Sequence, residues 1–158
     1  MKICALLLGL LLLCSLGAWA QTPARVEHHS ATALRDAVAG AARATPHLAT
    51  SALGDRGAYN YIVVRRDESG EVEIHDRLDD VFVVQEGTAI LRYGGTASGT
   101  RQTAAGEQRG GQITGGTTQR LAVGDVMVIP AGVPHRVEVE PGSSITYFVV
   151  KVVTPAPR

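Results

Sequence analysis

Histidines and carboxylates at short spacing are the residues of this sequence with the clearest chemistry. Glu73 and His75 are two positions apart in a short β-type run. On a strand they would point to the same face, about 6.6 Å apart along the chain. A third candidate, His135, follows an apolar run and a proline-glycine corner. Imidazole and carboxylate groups without a thiolate are typical ligands of divalent transition metals. Side chains of these types would form a mixed nitrogen and oxygen site wherever the fold brought them together.

The corner before His135 is predicted to be rigid. Residues 126–129 are apolar and favour a strand. Pro130 and Pro134 cannot donate to a sheet ladder, and Gly132 supplies the backbone freedom for a turn. The strand should therefore end here, and the corner should fix the direction of His135.

This stretch resembles the second motif of the cupin family, G-x5-P-x-G-x2-H-x3-N. Gly124, Pro130, Gly132 and His135 match it, and Val139 stands where the family often has asparagine. The spacing between the four matching residues is that of the motif.

An upstream stretch resembles the first cupin motif, G-x5-H-x-H-x3-4-E-x6-G, in a degraded form. His75 takes the second histidine position, Asp80 the glutamate position and Gly87 the closing glycine. Glu73 stands at the first histidine position, and the opening glycine is missing. The resemblance covers roughly residues 58–153 and implies a cupin-type jelly-roll β-barrel.

The resemblance also implies a ligand set. His75, Asp80 and His135 would form a two-histidine, one-carboxylate site, with Glu73 as a fourth ligand or as a group that orients a histidine. Asp79 competes with Asp80 for the carboxylate role, and the spacing to the closing glycine favours Asp80. Such ligands fit Fe, Mn, Ni, Co or Zn, with water completing the shell. Because ligand histidines must be deprotonated, metal affinity should weaken below about pH 6.5.

The N-terminus has the pattern of a secretory signal peptide. Lys2 precedes an apolar run over residues 3–13, and Ala18-Trp19-Ala20 places small residues where a signal peptidase reads them. We expect cleavage after Ala20 and a periplasmic or secreted protein. The apolar run is shorter than the roughly 20 residues of a membrane span, so no stable membrane anchor is expected after cleavage.

The composition narrows the function classes. Cys4 and Cys14 are the two cysteines and both lie in the predicted signal peptide, so no disulfide is expected in the mature chain. Without Lys2, 14 basic residues face 15 acidic ones. A near-neutral chain without a basic patch does not indicate a nucleic-acid partner.

One short helix is predicted near the start of the mature chain. Leu34, Val38 and Ala41 recur at helical spacing in an alanine-rich segment over residues 30–44. Ser30 or Thr32 could cap its start. The following residues up to 57 are rich in serine, threonine, alanine and glycine and are predicted to be a connector.

Short β-type runs separated by turn residues fill the rest of the chain. Eight strands are predicted, at residues 59–66, 72–75, 81–85, 88–93, 119–123, 126–129, 136–140 and 144–153. The predicted fold is therefore mainly β, a cupin-type jelly-roll β-barrel with a short N-terminal helical segment. The predicted organisation is a signal peptide (1–20), a helical and connector segment (21–57), the barrel (58–153) and a tail (154–158).

A glycine-rich segment lies between the two motifs. Residues 94–116 contain eight glycines and almost no large apolar residue. They are predicted to form a long, mobile loop that serves as an extended hairpin connection at the surface. The alternative is a lid over the barrel mouth, in which Glu107 and Arg109 contact a bound molecule.

Three functions remain open from the sequence. The protein could be a metal-dependent enzyme acting on a small polar molecule, as an oxygenase or as an isomerase or lyase. It could instead bind a small molecule without turning it over, or be a metal-free structural barrel. No Ser-His-Asp arrangement or other dedicated nucleophile is evident in the predicted barrel, so any catalysis would have to come from the metal. The resemblance further implies a homodimer paired through an edge strand.

Overall fold

The computed structural model describes residues 25–155, and the predicted signal peptide lies outside this range. The described chain contains one helix and fourteen strands. The helix is α1 (Ala31–Ala39). The strands are β1 (Arg43–Thr45), β2 (Leu48–Asp55), β3 (Tyr59–Arg66), β4 (Glu73–His75), β5 (Leu78–Gly87), β6 (Ala89–Tyr93), β7 (Thr96–Ser98), β8 (Arg101–Ala104), β9 (Glu107–Arg109), β10 (Gln112–Thr114), β11 (Thr117–Leu121), β12 (Val126–Ile129), β13 (His135–Glu138) and β14 (Ile145–Val153).

Two six-stranded antiparallel sheets form the body of the protein. The first has the strand order β1-β2-β3-β14-β5-β12, and the second has the order β11-β6-β13-β4-β9-β8. Apolar side chains from both sheets meet in one core, among them Phe82 and Ile145 of the first sheet and Leu91 of the second. The mainly β prediction is therefore confirmed.

The long central strand β14 shows how the sequence produces this core. It pairs with β3 on one side and β5 on the other. Its alternate residues Ile145, Tyr147 and Val149 are buried, as the two-residue period of a strand requires. The same alternation brings Lys151 inward at the end of the strand.

Helix α1 packs on the outside of the first sheet. The hydroxyl of Ser30 accepts a hydrogen bond from the backbone N–H of Ala33 at 3.1 Å, so the predicted N-cap is present. Leu34 and Val38 are buried against Val63 of β3. The helix ends at residue 39, earlier than predicted, because Gly40 forms its C-cap.

The predicted connector contains two strands instead. β2 pairs along its length with β3, and β1 folds back onto β2. Ala49 of β2 is buried although the strand carries small and polar residues. Backbone hydrogen bonds to β3 hold this segment in the sheet. Its side chains do not alternate between apolar and polar residues, so the sequence did not indicate a strand.

The glycine-rich segment is folded, contrary to the predicted long loop. β7 pairs with β10 in a separate two-stranded sheet, and β8 pairs with β9. β9 also pairs with β4, which carries Glu73 and His75. The segment therefore extends the second sheet at the point where the candidate site lies.

Between residues 25 and 155 the structure contains no helix with the length and hydropathy needed to cross a bilayer.

Candidate metal centre

The strand register brings the predicted residues to one place. Glu73 of β4 faces His135 of β13 on one side and Arg109 of β9 on the other. His75 faces Glu107 of β9. These pairings place both predicted motifs and the glycine-rich segment side by side in the second sheet.

Hydrogen bonds to the strands β4 and β5 hold the proline-glycine corner in place. Gly132 has a φ of 79°, a conformation that glycine adopts without strain, and its N–H donates to the carbonyl of His75 at 2.7 Å. The N–H of Ala131 donates to Oδ1 of Asp79 at 2.8 Å. Asp79 therefore supports the corner. His135 begins the next strand in a fixed direction, as the corner predicted.

Glu73, His75 and His135 form a close group. One ligand atom from each lies within 4.8 Å of the others. The centroids of the two imidazole rings are 5.4 Å apart. Both histidines are only 2% exposed. The group has the mixed nitrogen and oxygen donors that suit a divalent transition metal.

The ring of His135 is oriented with one nitrogen free. Its Nδ1–H donates to the carbonyl of Val133 at 3.0 Å, which leaves Nε2 as the unprotonated nitrogen. Nε2 is buried and has no hydrogen-bond partner in the described part of the chain. Burial lowers the pKa of His135 below its ordinary value, so the ring is neutral. A buried acceptor without a partner is costly, and a metal ion at this position would satisfy it.

His75 is oriented by the glycine-rich segment. Its Nδ1–H donates to Oε2 of Glu107 at 2.7 Å. A carboxylate on the outer nitrogen is the usual way in which a metal-binding histidine is held. Its Nε2 lies 3.6 Å from Glu73 and 3.3 Å from Asp80. Burial lowers the pKa of His75, but the adjacent carboxylates of Asp80 and Glu73 outweigh burial and raise the pKa to about 9.

Asp80 lies in the same pocket but is paired with a lysine. Nζ of Lys151 lies 2.7 Å from Oδ1 and 2.8 Å from Oδ2 of Asp80. The same Nζ is 3.0 Å from Nε2 of His75. Asp80 is 2% exposed. Burial raises its pKa, but the hydrogen bond to His75 and the charge of Lys151 bring the pKa below its ordinary value.

Two arginines complete the charged cluster around Glu73. Arg66 contacts Oε1 of Glu73 at 3.1 Å and donates from Nε to the hydroxyl of Tyr147 at 2.9 Å. Arg109 lies 3.4 Å from Oε2 of Glu73 and 3.1 Å from Glu107. Burial raises the pKa of Glu73, but the hydrogen bond to His75 and the two arginine charges hold it well below its usual range. Glu73 is therefore ionised.

A cavity of about 220 Å³ opens beside this cluster. Its charged wall includes Lys151, Arg66 and Arg109, while its apolar wall consists of Leu48, Ile62, Val64, Phe82, Val137 and Val149. A larger depression of about 700 Å³ lies around His47. There the ionic side chains are largely exposed, so the smaller cavity is the better candidate for a specific site.

All four predicted ligands thus lie close together, three of them form the close group, and Glu73, Asp80 and His135 also line the cavity. The assignment of Asp80 as a ligand stays a prediction, as does metal binding itself. The residues fit a divalent ion, since the free Nε2 of His135 points into a donor set of the right chemistry. The sequence analysis missed Lys151, Arg66 and Tyr147. The alternation Ile145, Tyr147, Val149, Lys151 was the available signal for Lys151.

Comparisons with known proteins identify the fold. No sequence-family model matches the chain, and no curated protein matches its sequence. A putative mannose-6-phosphate isomerase from Ralstonia eutropha is 16% identical, with 82% of this chain and 100% of that chain covered and a TM-score of 0.51. The cupin domain of Schizosaccharomyces pombe Cnp3 is 12% identical over 67% of this chain and 64% of that one, with a TM-score of 0.51.

The DMSP lyase DddQ from Ruegeria pomeroyi is a third structure with this fold. It is 16% identical, with 67% of this chain and 47% of that chain covered and a TM-score of 0.50. The chain thus spans about half the length of DddQ. The protein described here has the cupin fold, and the resemblance predicted from its two motifs is confirmed at the level of the fold.

Proposed function

We propose that this protein binds a divalent metal ion through Glu73, His75 and His135 and receives a small polar molecule in the adjoining cavity. The observation that carries the proposal is the buried Nε2 of His135, which has no hydrogen-bond partner within residues 25–155 and belongs to the same close group as the other two donors. The bound ion would supply a Lewis acid that polarises an oxygen of the bound molecule. The predicted signal peptide supports a periplasmic or secreted location.

The charges around the cavity favour an anionic or oxygen-rich ligand. Three carboxylates and three cations surround the site, namely Glu73, Asp80, Glu107, Arg66, Arg109 and Lys151. Once a metal ion has displaced the proton of His75, both histidines are neutral and these six charges balance, so the two positive charges of the ion are uncompensated in a largely buried site. Such charges are costly unless paired. A small carboxylate or a similar anion would offset them.

The shape of the cavity limits the size of this ligand. About 220 Å³ lies below the range of cavities that hold drug-sized molecules. The apolar wall would enclose a short hydrocarbon portion and exclude water from the charged end. Arg66 is held by Tyr147 and Glu73, so its guanidinium is already oriented when the ligand arrives.

Two reaction classes suit this arrangement. An isomerase or lyase would use the polarised oxygen to ease the rearrangement or cleavage of the bound molecule, and an oxygenase would require a redox-active ion. The named activities of the lyase and the putative isomerase with this fold support the first class by analogy of fold only. We therefore propose an isomerase or lyase first and an oxygenase second.

A metal-free binding module is the second candidate function. The observation that favours it is the ammonium of Lys151, which already neutralises Asp80 inside the pocket. In that case the three cations would bind the anionic ligand without a metal ion.

Elemental analysis of the purified mature protein separates these functions. We expect about one equivalent of a transition metal in the wild-type protein and none in the His75→Ala/His135→Ala variant. His47→Ala is the matched control, because His47 is an exposed histidine outside the pocket and its loss should leave the metal content unchanged. Equal, near-zero metal in all three proteins would favour the metal-free module.

A ligand screen then tests the rest of the proposal. Thermal shifts of the metal-loaded protein with short carboxylates, sugar phosphates and neutral sugars would show whether anions bind preferentially. Product analysis by NMR and oxygen uptake across phenolic, thiol and sugar substrates would separate isomerase or lyase activity from oxygenase activity. Ligand binding without any turnover would show that the protein is a binding module and not an enzyme for the ligands tested.

A further inference from the structure

Lys151 occupies the centre of the pocket. It lies at the inward-facing end of β14, and its side chain is 17% exposed. Its Nζ contacts both oxygens of Asp80 and also lies 3.0 Å from Nε2 of His75. The ammonium group is therefore in contact with two of the four predicted ligands at once.

Only one cation can stand beside Nε2 of His75. The Nδ1–H of His75 is engaged by Glu107, so Nε2 is the ring nitrogen left for a metal ion. In this structure Nζ of Lys151 stands 3.0 Å from Nε2. A metal–nitrogen bond of about 2.0–2.1 Å would need Nε2 to be deprotonated and that position to be free. A lysine ammonium left at its present position would then stand next to the metal ion with a charge of the same sign.

We propose that Lys151 is an internal competitor of the metal ion. It holds the pocket together when no metal is bound, and it must leave Nε2 of His75 when a divalent ion enters. The proposal rests on the metal binding proposed above, and it assigns a specific role to a residue that neither motif contains. The neighbouring cavity, which Lys151 lines, offers the displaced side chain a place to go. There its charge would face an incoming anionic ligand.

The proposal also gives Asp80 a role. While Lys151 is in place, both oxygens of Asp80 are taken, and the close group consists of Glu73, His75 and His135 without it. Asp80 is then the negative charge that keeps Lys151 beside His75. The rival explanation is a purely structural Lys151–Asp80 ion pair, in which case removing the lysine would weaken the pocket and its affinity for metal.

Metal titrations of lysine variants distinguish these explanations. Zn²⁺ affinity is measured at one fixed pH by competition with a chromophoric chelator, for the wild type, Lys151→Met and Lys151→Met/Asp80→Asn. We expect Lys151→Met to bind at least tenfold more tightly than the wild type. The double variant, which lacks both charges, should still bind at least as tightly as the wild type. Arg120→Met is the control, because it removes a surface cation and should leave the affinity unchanged.

The outcomes separate this inference from the proposed function. Equal or weaker binding by a folded Lys151→Met variant would overturn the inference and leave the metal site standing. Binding by Lys151→Met but not by the wild type would support the competition and overturn metal binding as the natural function. No binding by either protein would overturn both. Loss of binding in the double variant alone would show that Asp80 is a metal ligand that Lys151 withholds, and would overturn the proposed competition at Nε2 of His75. Circular dichroism and thermal denaturation in EDTA check that each variant folds.

A direct observation of Lys151 provides the second measurement. Lys2 and Lys151 are the two lysines of the sequence, so after removal of the predicted signal peptide Lys151 is the lone lysine. Protein labelled with ¹³C and ¹⁵N lysine should therefore give one set of side-chain NMR signals. We expect these signals to move in step with the first equivalent of Zn²⁺ as Nζ leaves Asp80 and His75. Tight Zn²⁺ binding with unchanged lysine signals would contradict the proposal.

Discussion

Oε2 of Glu107 lies 2.7 Å from Nδ1 of His75, and the two residues are direct neighbours across β4 and β9. A segment that the sequence describes only as glycine-rich thus provides the group that orients a candidate metal ligand. The alternative prediction placed Glu107 in contact with a bound molecule. In the structure its carboxylate fixes the histidine, and Arg109 beside it contacts Glu73.

Removing the Glu107 carboxylate should weaken metal binding. In Glu107→Gln, the amide is a weaker acceptor for Nδ1–H, so His75 loses both its fixed orientation and part of its basicity. We expect a 10- to 100-fold loss of metal affinity, the usual cost of losing such a partner, measured by competitive titration.

Glu71→Gln is the matched control for this prediction. It removes an exposed ion pair with Arg101 of β8, the strand that forms a hairpin with β9. Glu71 does not contact the candidate ligands, so the metal affinity should change little. Equal losses in both variants would show that Glu107 matters only for docking the hairpin.

Metal affinity should rise with pH up to about 9. The sequence alone predicts a decline only below about pH 6.5, the ordinary value for histidine. In the structure the pKa of His75 is raised to about 9, so a metal ion must displace a proton from His75 at any pH below this value. Below pH 9 the apparent affinity should therefore fall about tenfold per pH unit. Metal-buffered titrations between pH 6 and 8.5 would test this, and a flat profile would contradict it.

The stability of the metal-free protein should show the opposite trend over the same range. A histidine whose pKa is higher in the folded state stabilises the fold fully below its unfolded pKa, and this contribution disappears as the pH rises towards 9. The lowered pKa of His135 acts in the opposite direction below about pH 6.5. The melting temperature in EDTA should therefore fall between pH 6.5 and pH 9.

His75→Asn is the variant that tests the origin of this trend. It removes the titrating group, so its melting temperature should change less between pH 6.5 and pH 9 than that of the wild type. An identical slope in both proteins would assign the effect to other residues.

Gly87, the closing glycine of the first motif, should be intolerant of a side chain. It has a φ of 75°, and an added Cβ would lie 1.9 Å from the carbonyl oxygen of Ser144. We expect Gly87→Ala to lower the free energy of unfolding by about 3 kcal/mol, from backbone strain and the clash together. Chemical denaturation measures the loss.

Gly142→Ala separates the two contributions. Gly142 has a similar φ of 78°, but no atom of residues 25–155 lies within 4 Å of an added Cβ. The free energy of unfolding of Gly142→Ala should therefore fall by about 1 kcal/mol, from backbone strain alone. Equal losses at the two positions would show that the contact with Ser144 relaxes at little cost.

Local patterns in the sequence were enough for much of the fold. The strands at residues 59–66 and 126–129 have the predicted bounds, because β-favouring residues end there at glycine, proline or polar turns. The motif spacing also selected Glu73, His75, Asp80 and His135, which share one pocket. In these cases the chemistry of a residue and its near neighbours decides the result.

Only the tertiary structure decided which side chains meet in that pocket. Lys151 contacts Asp80, and Glu107 contacts His75, across 71 and 32 residues of sequence. Strand β2 likewise joins the sheet through backbone hydrogen bonds, without a side-chain pattern of its own. Such contacts depend on which strands are neighbours and in which register they pair, and a one-residue shift in register would turn each side chain to the opposite face. Residue types and spacing therefore selected the candidate ligands, whereas strand pairing determined that a lysine lies among them.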